Sequence, residues 1–373
     1  LNGSSIIVAQ GDDKGLSLRI AAPRVALPQG GRVQQAQNTA AIGNLALDGN
    51  GILLVNSGDG ASLMVDAPKL RLKSVKAAAG PGRDAGFASL AVGGANLALV
   101  ATAGGNTLAV DGLRAALDGM QLQDGNDRVS LAQAVLDNKS LAFDQSAEML
   151  RLRIGMPALR LSQIDARRGD EQARLQALSL TGKQWQATKR SAGNSTKLAL
   201  SGVALSGEQL AVQRPADGLE LAQLTLDGEA LQLALDDSSG AIISGDGAKL
   251  ALRGVAARQG DRRVQLQNAA FEARALRASS PPIDGGGTSA GLDGVSLTLA
   301  SAGVALDAAS GDAGQLASAR LTVGRLTLAL PDARPMCRQR ARTCNFRDWC
   351  CAIPPTWRSN CWRYRASAPV AWI

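Results

Sequence analysis

Histidine is absent from all 373 residues, and the five cysteines (Cys337, Cys344, Cys350, Cys351, Cys361) all lie in the last 40. Residues 1–333 therefore lack the side chains behind His-based triads, imidazole metal sites and thiolate nucleophiles. Neither a G-x-S-x-G elbow nor a G-x-x-x-x-G-K-(S/T) loop occurs. Gly285-Gly286-Gly287-Thr288 shares only glycine content with the latter. Four acidic spots could offer oxygen ligands to calcium: Asp12-Asp13, Asp48-Gly49-Asn50, Asp124-Gly125-Asn126-Asp127 and Asp236-Asp237. None has EF-hand spacing or the tandem glycine-rich nonapeptide, and acids are ordinary at hairpin tips, so they are read as turns. The triplets Asn138-Lys139-Ser140 and Asn194-Ser195-Thr196 match glycosylation sequons at chance frequency and carry no weight. The expectation is a non-enzymatic chain with no catalytic residues, no cofactor and no metal site.

Charge divides the chain in two. The formal net charge is +8, with 40 Lys and Arg against 32 Asp and Glu. From Arg334 onward there are eight arginines and one acid, Asp348, so 32 bases and 31 acids remain before that point. The basic signature belongs to the tail. Residues 334–373 also hold Trp349, Trp357, Trp362, Trp372 and Tyr364, in no regular period. Such disorderly Arg, Cys, Trp and Pro usage is what a GC-rich gene read out of frame yields, and the tail is expected to be disordered or non-native. The competing reading is a basic disulfide or metal module. It lacks a CxxC pair and would leave one cysteine over. Elsewhere the aromatics are Phe87, Phe143, Trp185 and Phe271. So few stacking platforms on a near-neutral body argue against sugar and nucleic-acid partners. A cysteine-free body suits an oxidising compartment without requiring one. The start at Leu1, with no signal-peptide pattern, reads as a fragment of something longer.

The elements that must position any site are short alternating strands. The phrase Leu-x-(Leu/Val)-x-Gly recurs at Leu45–Gly49, Leu108–Gly112, Leu178–Gly182, Leu198–Gly202, Leu224–Gly228 and Leu250–Gly254. Side chains two apart share a strand face, so each phrase is apolar on one side and polar on the other. The closing glycines are expected in tight reversals, where positive φ is needed. Residues 87–105 carry no charge, but Gly93-Gly94-Ala95-Asn96 punctuates them, which predicts a hairpin rather than a membrane span. Asn268–Ala278 could form one short helix, and Leu131–Val135 is ambiguous. Residues 279–294, with Ser279-Ser280-Pro281-Pro282 and three glycines, read as a long loop inside one architecture.

Residues 1–333 are thus expected to be all-β: an elongated, repetitive, mainly antiparallel sheet, curved groove or solenoid-like ribbon, with few short helices. The unit is a hairpin of two strands of five to eight residues, repeating about every 20–26 residues. At about 4.8 Å per strand, some 25–30 rungs would extend on the order of 100 Å.

The Leu-x-Leu-x-Gly phrases, with stretches such as Leu198–Val212 and Leu219–Leu235, resemble the AsmA-like superfamily of bacterial envelope proteins, which are related in design to bridge-like lipid-transfer proteins. The resemblance covers most of residues 40–333 and is one of style, since that family has no catalytic motif. It implies a periplasmic protein, anchored in the inner membrane by a segment absent here, whose apolar β-groove carries phospholipid or other acyl-chain lipid. Its partners would be the inner and outer membranes, reached through missing regions, and its role outer-membrane homeostasis. Such a groove is physically coherent. Exposing a 16-carbon chain costs roughly 13 kcal/mol at about 0.8 kcal/mol per CH₂, and an aliphatic trough removes most of that cost. The lining would include Leu45, Leu47, Leu108, Val110, Leu178, Leu180, Leu198, Leu200, Leu224, Leu226, Leu250 and Leu252. The same residues could equally be the dry core of a closed stack.

Two other classes share this vocabulary. A surface adhesin or autotransporter passenger would be a parallel β-helix with coils of similar length. A purely structural periplasmic spacer would be antiparallel with a filled interior. Strand direction and the covering of the apolar side separate the three.

Overall fold

The structure is a computed structural model. It describes residues 3–10, 15–191, 194–237, 240–280, 288–307, 312–330 and 363–366. The tail assignment otherwise falls outside the described residues, as do positions 281–287 of the expected loop; Ser279 and Ser280 end one strand and residues 288–294 begin the next.

All pairings are antiparallel, and the strands form one long sheet that is not closed into a barrel. A half-width strand, β1 (Ser5–Gln10), comes first. Eight full-width rungs follow, each interrupted along its length. They are β2 (Leu16–Ala21) with β3 (Arg24–Leu27) and β4 (Gly31–Gln35); β5 (Asn38–Asp48) with β6 (Gly51–Ser57); β7 (Gly60–Asp66) with β8 (Lys69–Ala79); and β9 (Arg83–Gly93) with β10 (Asn96–Thr102). Then come β11 (Gly105–Asp111) with β12 (Arg114–Asp124); β13 (Asp127–Asp137) with β14 (Ser140–Gln145); β15 (Met149–Gly155) with β16 (Ala158–Arg168); and β17 (Glu171–Thr181) with β18 (Gln184–Arg190). Six unbroken rungs complete the series: β19 (Ser195–Gln213), β20 (Asp217–Asp236), β21 (Gly240–Gln259), β22 (Arg262–Ser280), β23 (Thr288–Asp307) and β24 (Asp312–Leu330). A short β25 (Arg363–Ala366) pairs with β24.

The interrupted rungs form two panels side by side. A narrow panel runs through β1, β2, β6, β7, β10, β11, β14, β15 and β18. A wide panel runs from β3 and β4 through β5, β8, β9, β12, β13, β16 and β17. They fuse at β19, whose first residues pair with β18 and whose last pair with β17. The backbone ladder already crosses the gap earlier, as in Gly49 N–H to Pro23 O at 3.1 Å and Ala67 N–H to Ala95 O at 2.8 Å.

Two seams cross the sheet. On every second rung one residue has a left-handed backbone: Ala22, Ala67, Gly112, Met156, Gly202, Gly247 and Gly294. A second series, Ser74, Gly119, Gln163, Gln209, Gly254 and Ser301, follows seven residues after the last six of these. A left-handed residue breaks strict alternation, so apolar positions three apart across a seam come to share a face. A rung then reads as two, three, two, two, three, two. On β7 and β8 the positions are Leu63, Val65, Pro68, Leu70, Leu72, Val75 and Ala77. Pro68 interrupts no ladder bond it is needed for, since its carbonyl accepts from Gly94 N–H while its nitrogen has nothing to give.

This rung is the repeat, recurring every 22 to 26 residues, in place of the expected hairpin of two short strands. Fourteen full-width rungs at about 4.8 Å give a length of about 65 Å, shorter than the expected 100 Å. The chain runs straight through Gly93–Asn96, and β9 and β10 pair with different neighbours; the reversal lies between Thr102 and Gly105. The closing glycines sit mid-rung at the seams, with Gly112, Gly202 and Gly254 at positive φ. No α-helix occurs among the described residues. Asn268–Ala278 is part of β22 and Leu131–Val135 part of β13. A parallel β-helix is excluded by the antiparallel ladder.

Candidate functional site

Register joins the apolar positions of successive rungs into continuous lines. The clearest begins Ile6, Ile20, Ile52, Val65, Leu97, Val110, Leu141 and continues Ile154, Trp185, Leu200, Leu231. Beside it run Leu18, Leu54, Leu63, Leu99, Leu108, Phe143, Leu152 and, further on, Leu198 and Leu233. Across the first seam, one line takes Leu47, Leu70, Val92 and later Leu180, Leu205, Leu226, Leu250, Phe271. Its neighbour takes Leu45, Leu72, Leu90 and later Leu161, Leu178, Leu224, Leu252. Across the second seam lies Leu131, Ile164, Leu175, Leu210, Leu221, Val255, Leu266.

All twelve residues expected from the sequence fall on four of these lines: Val110 and Leu200 on the first, Leu108 and Leu198 on the second, Leu47, Leu180, Leu226 and Leu250 on the third, Leu45, Leu178, Leu224 and Leu252 on the fourth. The lines share one face. At the first seam, a Cβ added to Gly49 would touch Val65 and Pro23, and one on Gly94 would touch Val110 and Pro68. At the second, a Cβ on Gly207 would meet both Leu178 and Leu175. The fifth line escaped the sequence reading because it is three residues from the Leu-x-Leu pair rather than two.

Nothing in the described chain packs over this face. Each substantial contact between strands is with a hydrogen-bonded neighbour, so the sheet is a single layer. The accessible surface is 26112 Å²; a compact protein of this mass would expose about 14,000 Å². Few apolar side chains are buried among those described, Ile20, Val110, Val135, Ala273 and Val295 with Pro23 and Pro157, while Leu47 is 44%, Leu99 39% and Leu316 43% exposed. About 35 by 60 Å of apolar sheet is on the order of 2,000 Å², several times the largest apolar patch of an ordinary monomer.

The other face is polar through most of its extent and laced across strands. Asp137 lies between Arg114 and Arg160 at 3.6 and 3.4 Å, Arg174 meets Asp165 at 3.0 Å, and Arg153 meets Asp144 at 3.1 Å. Asp48 pairs with Arg24, and Asp124 with Arg83, so two of the acidic spots in the sequence are tied to arginines. Ser89 Oγ donates to Asp118 at 2.6 Å and Gln133 Nε2 to its other oxygen at 3.0 Å. Those two donors hold the Asp118 carboxyl below its ordinary range. Asp293 is likewise lowered by the hydrogen bond from Arg325 at 2.6 Å.

No protein-family model, curated protein or solved structure matches this chain.

Proposed function

We propose that the chain is a non-enzymatic envelope protein that binds or conducts phospholipid acyl chains along its apolar face, in the manner of the AsmA-like proteins it resembles. The observation that carries this reading is a set of aliphatic lines crossing the sheet with no second layer over them among the described residues. An exposed apolar surface of this size is unfavourable in water unless something apolar covers it. Hydrocarbon needs contact area and no specific polar partner, and each CH₂ covered contributes about 0.8 kcal/mol. The unbroken register lets a chain slide from rung to rung through similar surroundings. Under this reading the protein works in the periplasm, held to the inner membrane by a segment outside this sequence.

The test places a photo-crosslinking residue at Leu161, Leu178 or Leu226, and at their polar-face neighbours Arg160, Ser179 and Thr225, in otherwise unaltered protein. After incubation with a fluorescent phospholipid, the first set should label saturably and the second should not. Folded protein that takes up no lipid, or labels equally from both faces, would defeat the proposal.

A further inference from the structure

The polar face carries a second feature, independent of acyl-chain uptake because it lies on the opposite side of the sheet. Along the wide panel, one residue in from its free margin, Arg128, Arg167, Gln172, Gln213, Gly218, Arg258 and Arg263 stand directly opposite one another in successive rungs. Two pairs in this line, Arg128 with Arg167 and Arg258 with Arg263, oppose like charge to like charge. Directly opposed residues have Cα atoms about 4.5–5.5 Å apart, where like charges are destabilising. Elsewhere on this face some arginines stand directly opposite acids and pair with them, as Arg174 does with Asp165 and Arg325 with Asp293. Among the described residues these four have no ion pair and no side-chain hydrogen bond, and all four are exposed. A depression of 670 Å³ adjoins Arg128, and another of 490 Å³ adjoins Arg258 and Arg263, where Gly218 contributes no side chain.

We infer that the two arginine pairs bind phosphodiester groups, and that the occupant is the headgroup layer of an anionic bilayer. An anion accepting from both guanidinia converts the repulsion within each pair into charge-assisted hydrogen bonds. The pairs are five rungs apart, about 24 Å. That span is too long for one small phosphate ligand and suits a surface bearing many phosphates. The residues between the pairs on this line, Gln172, Gln213 and Gly218, are uncharged, while Asp217 and Glu220 line the same depression as Arg258 and Arg263.

The experiment is co-sedimentation of the full chain with vesicles of equal phosphatidylglycerol and phosphatidylcholine, and with phosphatidylcholine alone. Binding should favour the anionic vesicles and weaken with salt. The variant Arg128→Gln/Arg167→Gln/Arg258→Gln/Arg263→Gln should lose at least about 10-fold. Lys69→Gln/Arg71→Gln/Lys249→Gln/Arg320→Gln, which removes as much charge from the same face, should stay within about 2-fold of the parent. The pairwise Arg258→Gln/Arg263→Gln variant repeats the measurement if the fourfold variant does not fold. Equal losses from both fourfold variants would overturn the inference. So would displacement by millimolar inorganic phosphate or glycerophosphate, or tighter binding to single-stranded nucleic acid than to the vesicles. Lipid uptake by the apolar face is read separately, with a neutral phospholipid, and should be unchanged in the arginine variants.

Discussion

Asn138 sits at the first seam, only 7% exposed, with both atoms of its side-chain amide unpartnered. Its neighbours in the line are Leu113, whose carbonyl accepts its backbone N–H at 2.9 Å, and the fully buried Pro157. A buried amide without partners costs free energy, so Asn138→Leu should raise stability by about 1–2 kcal/mol, read as a shifted urea midpoint with unchanged slope. Asp118 behaves in the opposite sense. Its folded carboxyl is held low by Ser89 first and Gln133 second, so its stabilising share is present near neutrality and disappears as pH falls through the folded pKa, below the ordinary value of 3.8. Ser89→Ala should move the Asp118 titration upward and shift acid unfolding to higher pH, both observable by NMR and circular dichroism. An unchanged Asp118 titration would show that Ser89 is not the cause.

At the scale of the element, the seams decide how each rung is built. Gln163 and Gln209 hold left-handed backbones at φ 52 and 51. An L side chain there costs about 1–2 kcal/mol, part of which glycine recovers despite its larger unfolded-state entropy. Gln163→Gly and Gln209→Gly should therefore each stabilise the protein by about 0.5–1 kcal/mol in chemical denaturation. Gly254 has φ +62, and a Cβ there would come within 2.8 Å of the Ala222 Cβ. Gly254→Val should cost about 2 kcal/mol or more, since strain and overpacking combine. These seams also explain what the sequence hid. Ala269, Phe271, Ala273, Leu276 and Ala278 lie on one strand face, yet their step of three across a seam imitates a helical repeat. A left-handed backbone at Met156, Ser74 or Gln163 has no residue signature, whereas one at Gly112 or Gly202 could be suspected from the glycine.

The whole molecule is a quasi-one-dimensional stack in which rungs alternate in direction and seam geometry repeats every second rung. Removing residues 112–155 would join Asp111 to Met156, placing Met156 where Gly112 stood, two equivalent points of the pattern. The shortened protein should still fold, with the same β-sheet circular dichroism and a long dimension reduced by about 10 Å in small-angle scattering. Removing one rung alone would reverse the direction of every later strand and should abolish folding. Comparable damage from both deletions would contradict a modular stack.

The alternation of aliphatic and polar residues, with turn residues about every 20–26 positions, settled by itself that this chain is a repetitive all-β protein; the choice between an antiparallel ribbon and a parallel β-helix was decided by the ladder. It also picked out residues that share a face within each short stretch, because alternation is a local property of a strand. What joined them into lines was the register between rungs, which no single stretch contains. That no second layer of described residues covers the lines depends on every strand at once. So does the meeting of Arg128 with Arg167 and of Arg258 with Arg263, since only pairing brings a like charge from a neighbouring rung to the same place.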